Sequence, residues 1–370
     1  MSSLIETDLR RERDRRALSQ ERMAELAGVT RQSYAAIESG ASVPSTTVAL
    51  RLARALGRPV EDLFRLTDEG PESVVAEAAL DAGVDPTPVR VVEIAGRLVG
   101  IPTRAARTES FGPSDGLGRM ISPTAMRVVL FADRPPRCDL VAIGCDPSVG
   151  LVAYALCRDA GVETVTMSGG SRAALAALAR GHAHLAGIHL LDPETREYNE
   201  SWVRRLVPFP CTRIRFARWQ QALVVGPGNP HRIAGLDDLA RPGVRFLNRE
   251  PGSGTRVLLD AHLEARGVPT GNIDGYHERT ASGHLAVAQA IASGLADAGV
   301  GIRAAGLAFG LDSIPLAEEQ YDLVVPNHYL DLPAIRALVD LLCARALGRQ
   351  VEALGGYDVV GMGHPVDAAR

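Results

Sequence analysis

The sequence predicts two fold classes in one chain: an all-α N-terminal domain, then a two-lobed α/β domain. Two observations carry this. Residues 18–40 hold two short amphipathic helical stretches joined at Gly28. From Asp139 onward, β-branched runs alternate with Ala/Leu-rich stretches, and the pattern comes twice. Strand–loop–helix units at this spacing specify a parallel sheet with helices on its faces. The 370 residues leave room for both domains and a connecting region. The expected partition is 1–66, a linker with a small β-containing region at 67–138, the two lobes at 139–330, and a C-terminal helical segment at 331–370.

Ser19 is placed to cap a helix whose apolar side is Met23, Leu26 and Ala27, and Gly28 permits the left-handed turn that ends it. Thr30 caps a second helix with Val29, Tyr34 and Ile37 turned inward. Two such helices form a helix-turn-helix, whose second helix enters a DNA major groove. A hairpin that packs and binds nothing is the plain alternative. Arg10, Arg11, Arg13, Arg15 and Arg16 precede the motif as phosphate contacts, and Gln20 opens the first helix where a phosphate is clamped. Arg31, Gln32 and Ser33 fill the first turn of the second helix; Arg suits guanine and Gln suits adenine. Glu6, Asp8, Glu12, Asp14, Glu21 and Glu25 offset many arginines, so each head binds modestly and a homodimer is expected.

This stretch closely resembles the Cro/cI-type repressor domain, the XRE family, over about residues 6–66. The resemblance implies base reading at Arg31, Gln32, Ser33 and Ala36, with Gln20 and Thr30 completing the DNA-facing set.

The net charge of −4 argues against general adhesion to nucleic acid or membranes. All 40 basic residues are Arg, a codon-usage signature rather than chemistry. No apolar signal-like stretch opens the sequence and no run approaches a membrane span, so a cytoplasmic location is expected. The five scattered cysteines contain no Cys-x-x-Cys and read as reduced thiols. Cys145 lies in a candidate pocket loop, where a buried inert thiol is the plain reading.

Residues 67–88 read as a polar junction, a short Ala-rich helix and a Pro-x-Pro linker; 89–102 as a hairpin about Ala95-Gly96-Arg97; 103–118 as a loop. Leu140–Gly144 is a buried strand, and Asp146-Pro147-Ser148 starts a helix. A strand at 163–167 leads through Ser168-Gly169-Gly170-Ser171 into a helix at 172–180 and a strand at 183–190. In the second half, strands at 214–217 and 222–225 bracket Arg218 to Gln221. A strand at 244–247 then leads through a loop at 248–254 into a helix at 255–265. A helix at 284–292 and a strand at 297–302 complete it. Gly181 to Ile188 echoes Gly294 to Val300, which reads as two related lobes; 313–325 returns to the first.

Four segments resemble the type II periplasmic-binding-protein fold, and within it the cytoplasmic domains related to molybdate-binding proteins. They are Gly144 to Gly150, Ala186 to Asp192, Gly226 to Pro230, and Asn248 to Arg256 with its Pro-Gly-Ser-Gly-Thr-Arg run. The resemblance covers about 139–325, and fusion of such a domain to an XRE-type module implies a regulator whose ligand is molybdate or tungstate, with no other cofactor.

Loops that end strands and open helices line the crevice of an α/β sheet. Helix starts bind anions through free N–H groups and the dipole. Asp146, Ser148, Ser168, Gly169, Gly170, Ser171, Gly252, Ser253, Gly254 and Thr255 are therefore ligand candidates, with countercharge from Arg218, Arg249 or Arg256. His284 starts a helix nearby, as ligand contact or as cap. Plain helix caps are the alternative for both glycine-serine loops. His182, His184 and His189 look like a zinc cluster, but His184 and His189 are five apart on one strand and face opposite ways. Gly112-Pro113-Ser114-Asp115-Gly116 matches a nucleophile elbow by letter without its strand and helix. The expected function is a one-component regulator in which ligand closes the lobes and the linker relays closure to the DNA heads. A sensor of a pterin or organic anion, and an enzyme on this scaffold, remain the alternatives; the sequence shows no nucleophile–base pair.

Overall fold

The computed structural model describes residues 5–66, 73–79, 85–103, 113–132, 137–192 and 194–366. It divides into two compact units, Met1–Ser73 and Val74–Arg370.

In the first unit, β1 (Ile5–Thr7) pairs antiparallel with β2 (Phe64–Leu66). Between them run α1 (Leu9–Arg15), α2 (Gln20–Ala27), α3 (Arg31–Glu38) and α4 (Thr46–Leu56). The last three each start at a hydroxyl cap: Ser19, Thr30 and Ser45 accept from the N–H of Arg22, Ser33 and Val48. Gly28 ends α2 at φ 70°. Leu9, Met23, Tyr34, Leu52 and Leu56 form the core. Leu26 is 39% exposed, a correction to the expected face. Because α2 packs against both α3 and α4, its buried arc runs through Met23, Ala24 and Ala27.

Two carboxylates organise this unit. Glu38 accepts from Arg13 Nε at 2.7 Å, Gln20 Nε2 at 2.7 Å and the Tyr34 hydroxyl at 2.9 Å. Glu12 accepts from Arg15 and Arg16, both at 3.0 Å. Arg13, at 13% side-chain exposure, is thus committed within the unit, contrary to its expected role as a phosphate contact, whereas Arg15 and Arg16 pair with Glu12 yet keep 63% and 36%. Arg10 and Arg11 keep side-chain exposures of 80% and 61%. The Arg16 guanidinium holds the Glu12 carboxyl at about 2, against the cost of burial. Burial opposes the charge on Glu38, but Arg13 and Gln20 lower its pKa as well. Carboxyls depressed on folding stabilise above their unfolded value of 4.5. That contribution is lost as pH falls through the folded value. Helical signal from this unit should therefore melt at steadily lower temperature between about pH 4.5 and 2, and be level above that window. A circular-dichroism melting series checks this.

The second unit opens with a closed five-stranded barrel. Its strands are β3 (Ser73–Ala78), β4 (Thr87–Ile94), β5 (Arg97–Pro102), β6 (Gly116–Ser122) and β7 (Ala125–Leu130). The β4–β5 hairpin turns at Ala95 and Gly96, both at positive φ (50° and 77°), the geometry of a tight two-residue turn. The described part of the expected Ala-rich helix is instead β3, whose Ala76 belongs to a core with Val89, Val91, Met126 and Val128. Residues 116–118, expected in a loop, begin β6. The junction at 67–72, residues 80–84 and the loop at 104–112 lie outside the described residues. So does Gly112 of the elbow-like run; the rest of that run leads into a strand, where Asp115 accepts from Val91 N–H at 2.8 Å.

The remainder is β8 (Leu140–Gly144), α5 (Val149–Ala160), β9 (Thr164–Ser168), α6 (Ser171–Ala179), β10 (Leu185–Ile188), α7 (Glu200–Leu206) and β11 (Cys211–Val225). It continues with β12 (Phe246–Arg249), α8 (Gly254–Arg266), β13 (Thr280–Ala281), α9 (His284–Ala292), β14 (Ala298–Ile302), α10 (Arg303–Ala308) and β15 (Asp312–Pro326). It ends with α11 (Pro333–Leu342), α12 (Arg345–Ala353) and β16 (Tyr357–Asp358). The strands form one sheet in the order β13-β12-β14-β11-β15-β10-β8-β9, with β16 on β11. The segments 214–217 and 222–225 are one continuous strand rather than two, because β11 pairs with β15 from Cys211↔Pro326 to Val225↔Asp312. One end of this pair borders β10 and the other borders β14, so both strands run through both lobes. β15 does not simply return to the first lobe, as expected. Residues 331–370, expected to be helical, also supply β16, which pairs with β11 at Arg218 and Trp219.

The two echoing segments do the same work. At the start of β10, His184 Nδ1 accepts from Val141 N–H at 2.9 Å. At the start of β14, Asp297 Oδ2 accepts from Arg245 N–H at 2.8 Å. Each side chain satisfies a backbone donor near the start of the neighbouring strand. Among the described residues no helix is long and apolar enough to cross a membrane.

Candidate ligand crevice

The C-terminal ends of β8, β9 and β10 face those of β12 and β14 where β11 and β15 pass between the lobes. This is where an α/β sheet binds its ligand. The lobes touch here: a Cβ on Gly254 would lie 2.6 Å from His189 O, and one on Gly170 3.5 Å from Ser253 Cα. Gly254 is the glycine the fold requires for close approach.

The centre is a buried polar network. Glu319 Oε2 accepts from His189 Nδ1 at 3.0 Å, Trp219 Nε1 at 3.1 Å and Gln221 Nε2 at 2.6 Å. Gln221 Nε2 also donates to Thr255 Oγ1 at 2.9 Å. Ser171 Oγ accepts from His189 N–H at 3.1 Å. Thr255 and Ser171 are used here as acceptors, so each hydroxyl proton is left to donate. Arg249, 1% exposed, grips Glu250 through Nε and Nη2 at 2.9 and 3.0 Å. Its Nη1 lies 3.0 Å from His284 Nδ1, which also accepts from Ile302 N–H at 3.3 Å. Burial and the Arg249 charge push His284 well below the usual imidazole range. Burial works against a charged His189, but Glu319 and Cys145 raise it to about 10.

α5, α6 and α9 begin at the crevice with no side-chain cap, at Ser148, Gly170 and Gly283. Only α8 is capped there, by Ser253.

The expected ligand residues divide accordingly. Ser171, Arg249, Thr255 and His284 meet in the network, with Gly170 and Gly254 at the lobe contact. Arg249 ends β12 rather than lying in a loop, as does Ser168 on β9. Gly169 adjoins Ile143 and Gly252 takes φ 83°. Ser253 spends its hydroxyl on Glu250 O and Arg256 N–H. Asp146 accepts from Ser148 N–H at 2.6 Å and the Tyr357 hydroxyl at 3.0 Å, and burial raises its pKa. Ser148 Oγ is buried with no partner. Two expected countercharges are corrected. Arg218 is exposed and pairs with Asp358 at 3.1 Å, because Trp219 beside it takes the inward face. Arg256 lies over the Tyr276 ring at 4.1 Å and binds Asp260. His182 contacts Glu77 and His184 serves β8, so neither joins His189. Cys145 Sγ lies 3.3 Å from His189 Nε2, a nucleophile–base contact that sequence reasoning missed. Glu319, Trp219, Gln221 and Tyr357 were missed too.

On the helix-turn-helix, Arg31, Gln32, Ser33 and the Thr30 cap are exposed, and Ala36 is half-buried. Arg31 pairs with Glu21 at 2.9 Å. The Gln20 side chain, expected at a phosphate, is bound to Glu38.

Comparison with known proteins matches residues 154–343, just over half of the chain, to the PBP superfamily domain. Residues 9–63 match the helix-turn-helix family. The protein YvgK of Bacillus subtilis is 36% identical over 190 residues, 51% of this chain and 61% of YvgK, so less than two thirds of that protein is spanned. A protein of Methanothermobacter thermautotrophicus described as an HTH-type transcriptional regulator is 46% identical over 67 residues, 18% of this chain and 97% of that protein. The sulfate-binding protein SubI of Mycobacterium tuberculosis gives a TM-score of 0.44 at 18% identity, over 62% of this chain and 88% of SubI.

Proposed function

The chain belongs to the PBP superfamily domain family and carries an XRE-type helix-turn-helix, and from that premise we propose a one-component, DNA-binding transcription regulator that senses a small anion in its crevice. The observation that carries the ligand class is the buried Arg249 in one crevice with the Thr255 and Ser171 hydroxyls, which accept within the network and keep a proton to donate. α5, α6 and α9 open onto the crevice without a side-chain cap, a feature they share with α1, α7, α10, α11 and α12. Free N–H groups and spare hydroxyl protons at Thr255 and Ser171 suit a tetrahedral oxyanion, with molybdate or tungstate first. Arg249 supplies the countercharge once Glu250 yields it.

Calorimetry with molybdate, tungstate, sulfate and phosphate tests this. At least one should bind, and Glu250→Gln should tighten it by roughly fivefold, since Arg249 is then unopposed. Failure of all four to bind rejects the class. One observation favours a larger organic anion instead. Glu319 Oε1 and Gln221 Oε1 are buried acceptors without a partner, and Trp219, which donates to Glu319, packs against Tyr321 and Tyr357. A ligand with a hydroxyl and a ring would use both, so a pterin and 4-hydroxybenzoate join the panel.

At the other end, a dimer is proposed to read a pseudo-palindrome through Arg31, Gln32, Ser33 and Ala36. Arg31→Ala or Gln32→Ala should cost about 1–3 kcal/mol and relax specificity at one position per half-site. Footprints unchanged in both variants would remove α3 as the reading helix.

A further inference from the structure

We propose that Cys145 is a nucleophilic thiol, with His189 as its base and Glu319 as the group that positions His189, and that the crevice captures small carbon electrophiles there by S-alkylation. The proposal rests on this crevice being the ligand site.

Three separate elements bring the groups together. Cys145 follows β8, His189 follows β10, and Glu319 lies on β15. Sγ is 3.3 Å from Nε2, and Nδ1 is 3.0 Å from Glu319 Oε2. The same oxygen accepts from Trp219 and Gln221 on β11, so two long strands pin the carboxylate. The Glu319 carboxylate on Nδ1 holds the ring with Nε2 toward Sγ, where it takes and keeps the thiol proton. The Trp219 ring, edge-on at 4.9 Å, fixes the imidazole plane. A merely buried thiol needs none of this. Cys138 and Cys211, both half-buried, lie against the backbone carbonyls of Leu140 and Phe209. Among the described cysteines, Cys145 alone lies within hydrogen-bond distance of an imidazole.

In the step, Cys145 Sγ attacks a carbon that bears a leaving group. The S–C bond forms, the bond to the leaving group breaks, and that group departs with the electron pair. The thiol proton stays on His189 Nε2, beside the Glu319 carboxylate.

The nearest rival is a metal. Cys145, His189 and His284 offer donor atoms within 4.8 Å of one another. Yet His284 Nδ1 already accepts from Ile302 N–H, and the Arg249 guanidinium sits 3.0 Å from it. Arg249 Nη1 also lies 3.4 Å from His284 Nε2, so a cation already flanks both ring nitrogens of this histidine.

The test is iodoacetamide labelling of the full chain, read at each cysteine by peptide mass spectrometry. Cys145 should be alkylated at least tenfold faster than the exposed Cys157 and Cys343. A Cys145 rate at or below theirs overturns the proposal. His189→Gln should lower the Cys145 rate at least tenfold while Cys157 is unchanged; an unaltered rate also overturns it. Should that variant unfold, all five thiols will label alike, and Glu319→Gln takes its place, with Glu319→Asp restoring part of the rate. Zinc added beforehand should leave Cys145 labelling intact; full protection reversed by EDTA would assign the cluster to a metal and overturn the thiol. Iodoacetate separates this idea from the anion reading. Its Cys145-to-Cys157 rate ratio should exceed that of iodoacetamide. Fast Cys145 labelling with equal ratios would keep the thiol and count against the anionic crevice.

Discussion

Replacing Gly254 with alanine is expected to weaken oxyanion binding by about five- to hundredfold while leaving both lobes folded. The new methyl would lie 2.6 Å from His189 O and 2.7 Å from His189 Cε1. One of these is backbone and the other belongs to a ring held by Glu319, so neither neighbour can give way. Overpacking of this kind costs about 1–3 kcal/mol, and here it is charged only to the state in which the lobes meet. With the lobes apart, the methyl sits at the first turn of a capped helix, where alanine is well tolerated. Calorimetry on the Gly254→Ala variant is the check; wild-type affinity would mean that the ligand does not require this closure.

Glu38→Ala is expected to destabilise the helix-turn-helix unit by about 3–5 kcal/mol, because removing one member of a buried pair strands the other. Arg13, at 13% side-chain exposure, would lose its carboxylate, and the Gln20 amide and the fully buried Tyr34 hydroxyl their acceptor. A small helical domain holds little more stability than that. Limited proteolysis of the full chain should then cut within residues 5–66 at once, with the second unit intact. Glu38→Gln keeps an acceptor and should lose less. Equal resistance of Glu38→Ala and wild type would show that the cluster carries no stability.

The contrast between these two sites shows what was legible in the sequence. Local signals were. Ser19, Gly28 and Thr30 act through hydrogen bonds three residues away or through one backbone angle, so a linear reading captures them. The α/β alternation and the placement of Ser171, Arg249 and Thr255 at strand ends and helix starts were legible for the same reason. Long-range pairing did not. Glu38 meets Arg13 across 25 positions, and His189 meets Glu319 across 130. The β11–β15 crossing, which brings Trp219, Gln221 and Glu319 into the crevice, depends on a register no local pattern encodes. Arg218 and Arg256 looked like countercharges because charge is visible in a sequence, while the face it occupies is set by neighbours such as Trp219 and Tyr276. The barrel was hard to read because its parallel β3–β5 pairing joins strands with β4 between them.

The central claim is that one chain couples an anion in the crevice to DNA binding by α3. The most direct measurement is a gel-shift titration of the full chain on duplexes selected from a random pool, with and without the oxyanion that calorimetry identifies, beside Thr255→Val. Thr255 Oγ1 accepts from Gln221 and keeps its proton for the proposed anion; a hydrogen bond to a charged group is worth roughly 1.5–3 kcal/mol, so this variant should bind the anion about tenfold or more weakly. The account predicts that the oxyanion shifts wild-type DNA affinity by at least fivefold, and that Thr255→Val binds DNA like wild type yet needs about tenfold more oxyanion for the same shift. A wild-type chain whose DNA affinity ignores a bound oxyanion, or a Thr255→Val chain that responds at wild-type concentrations, would contradict it.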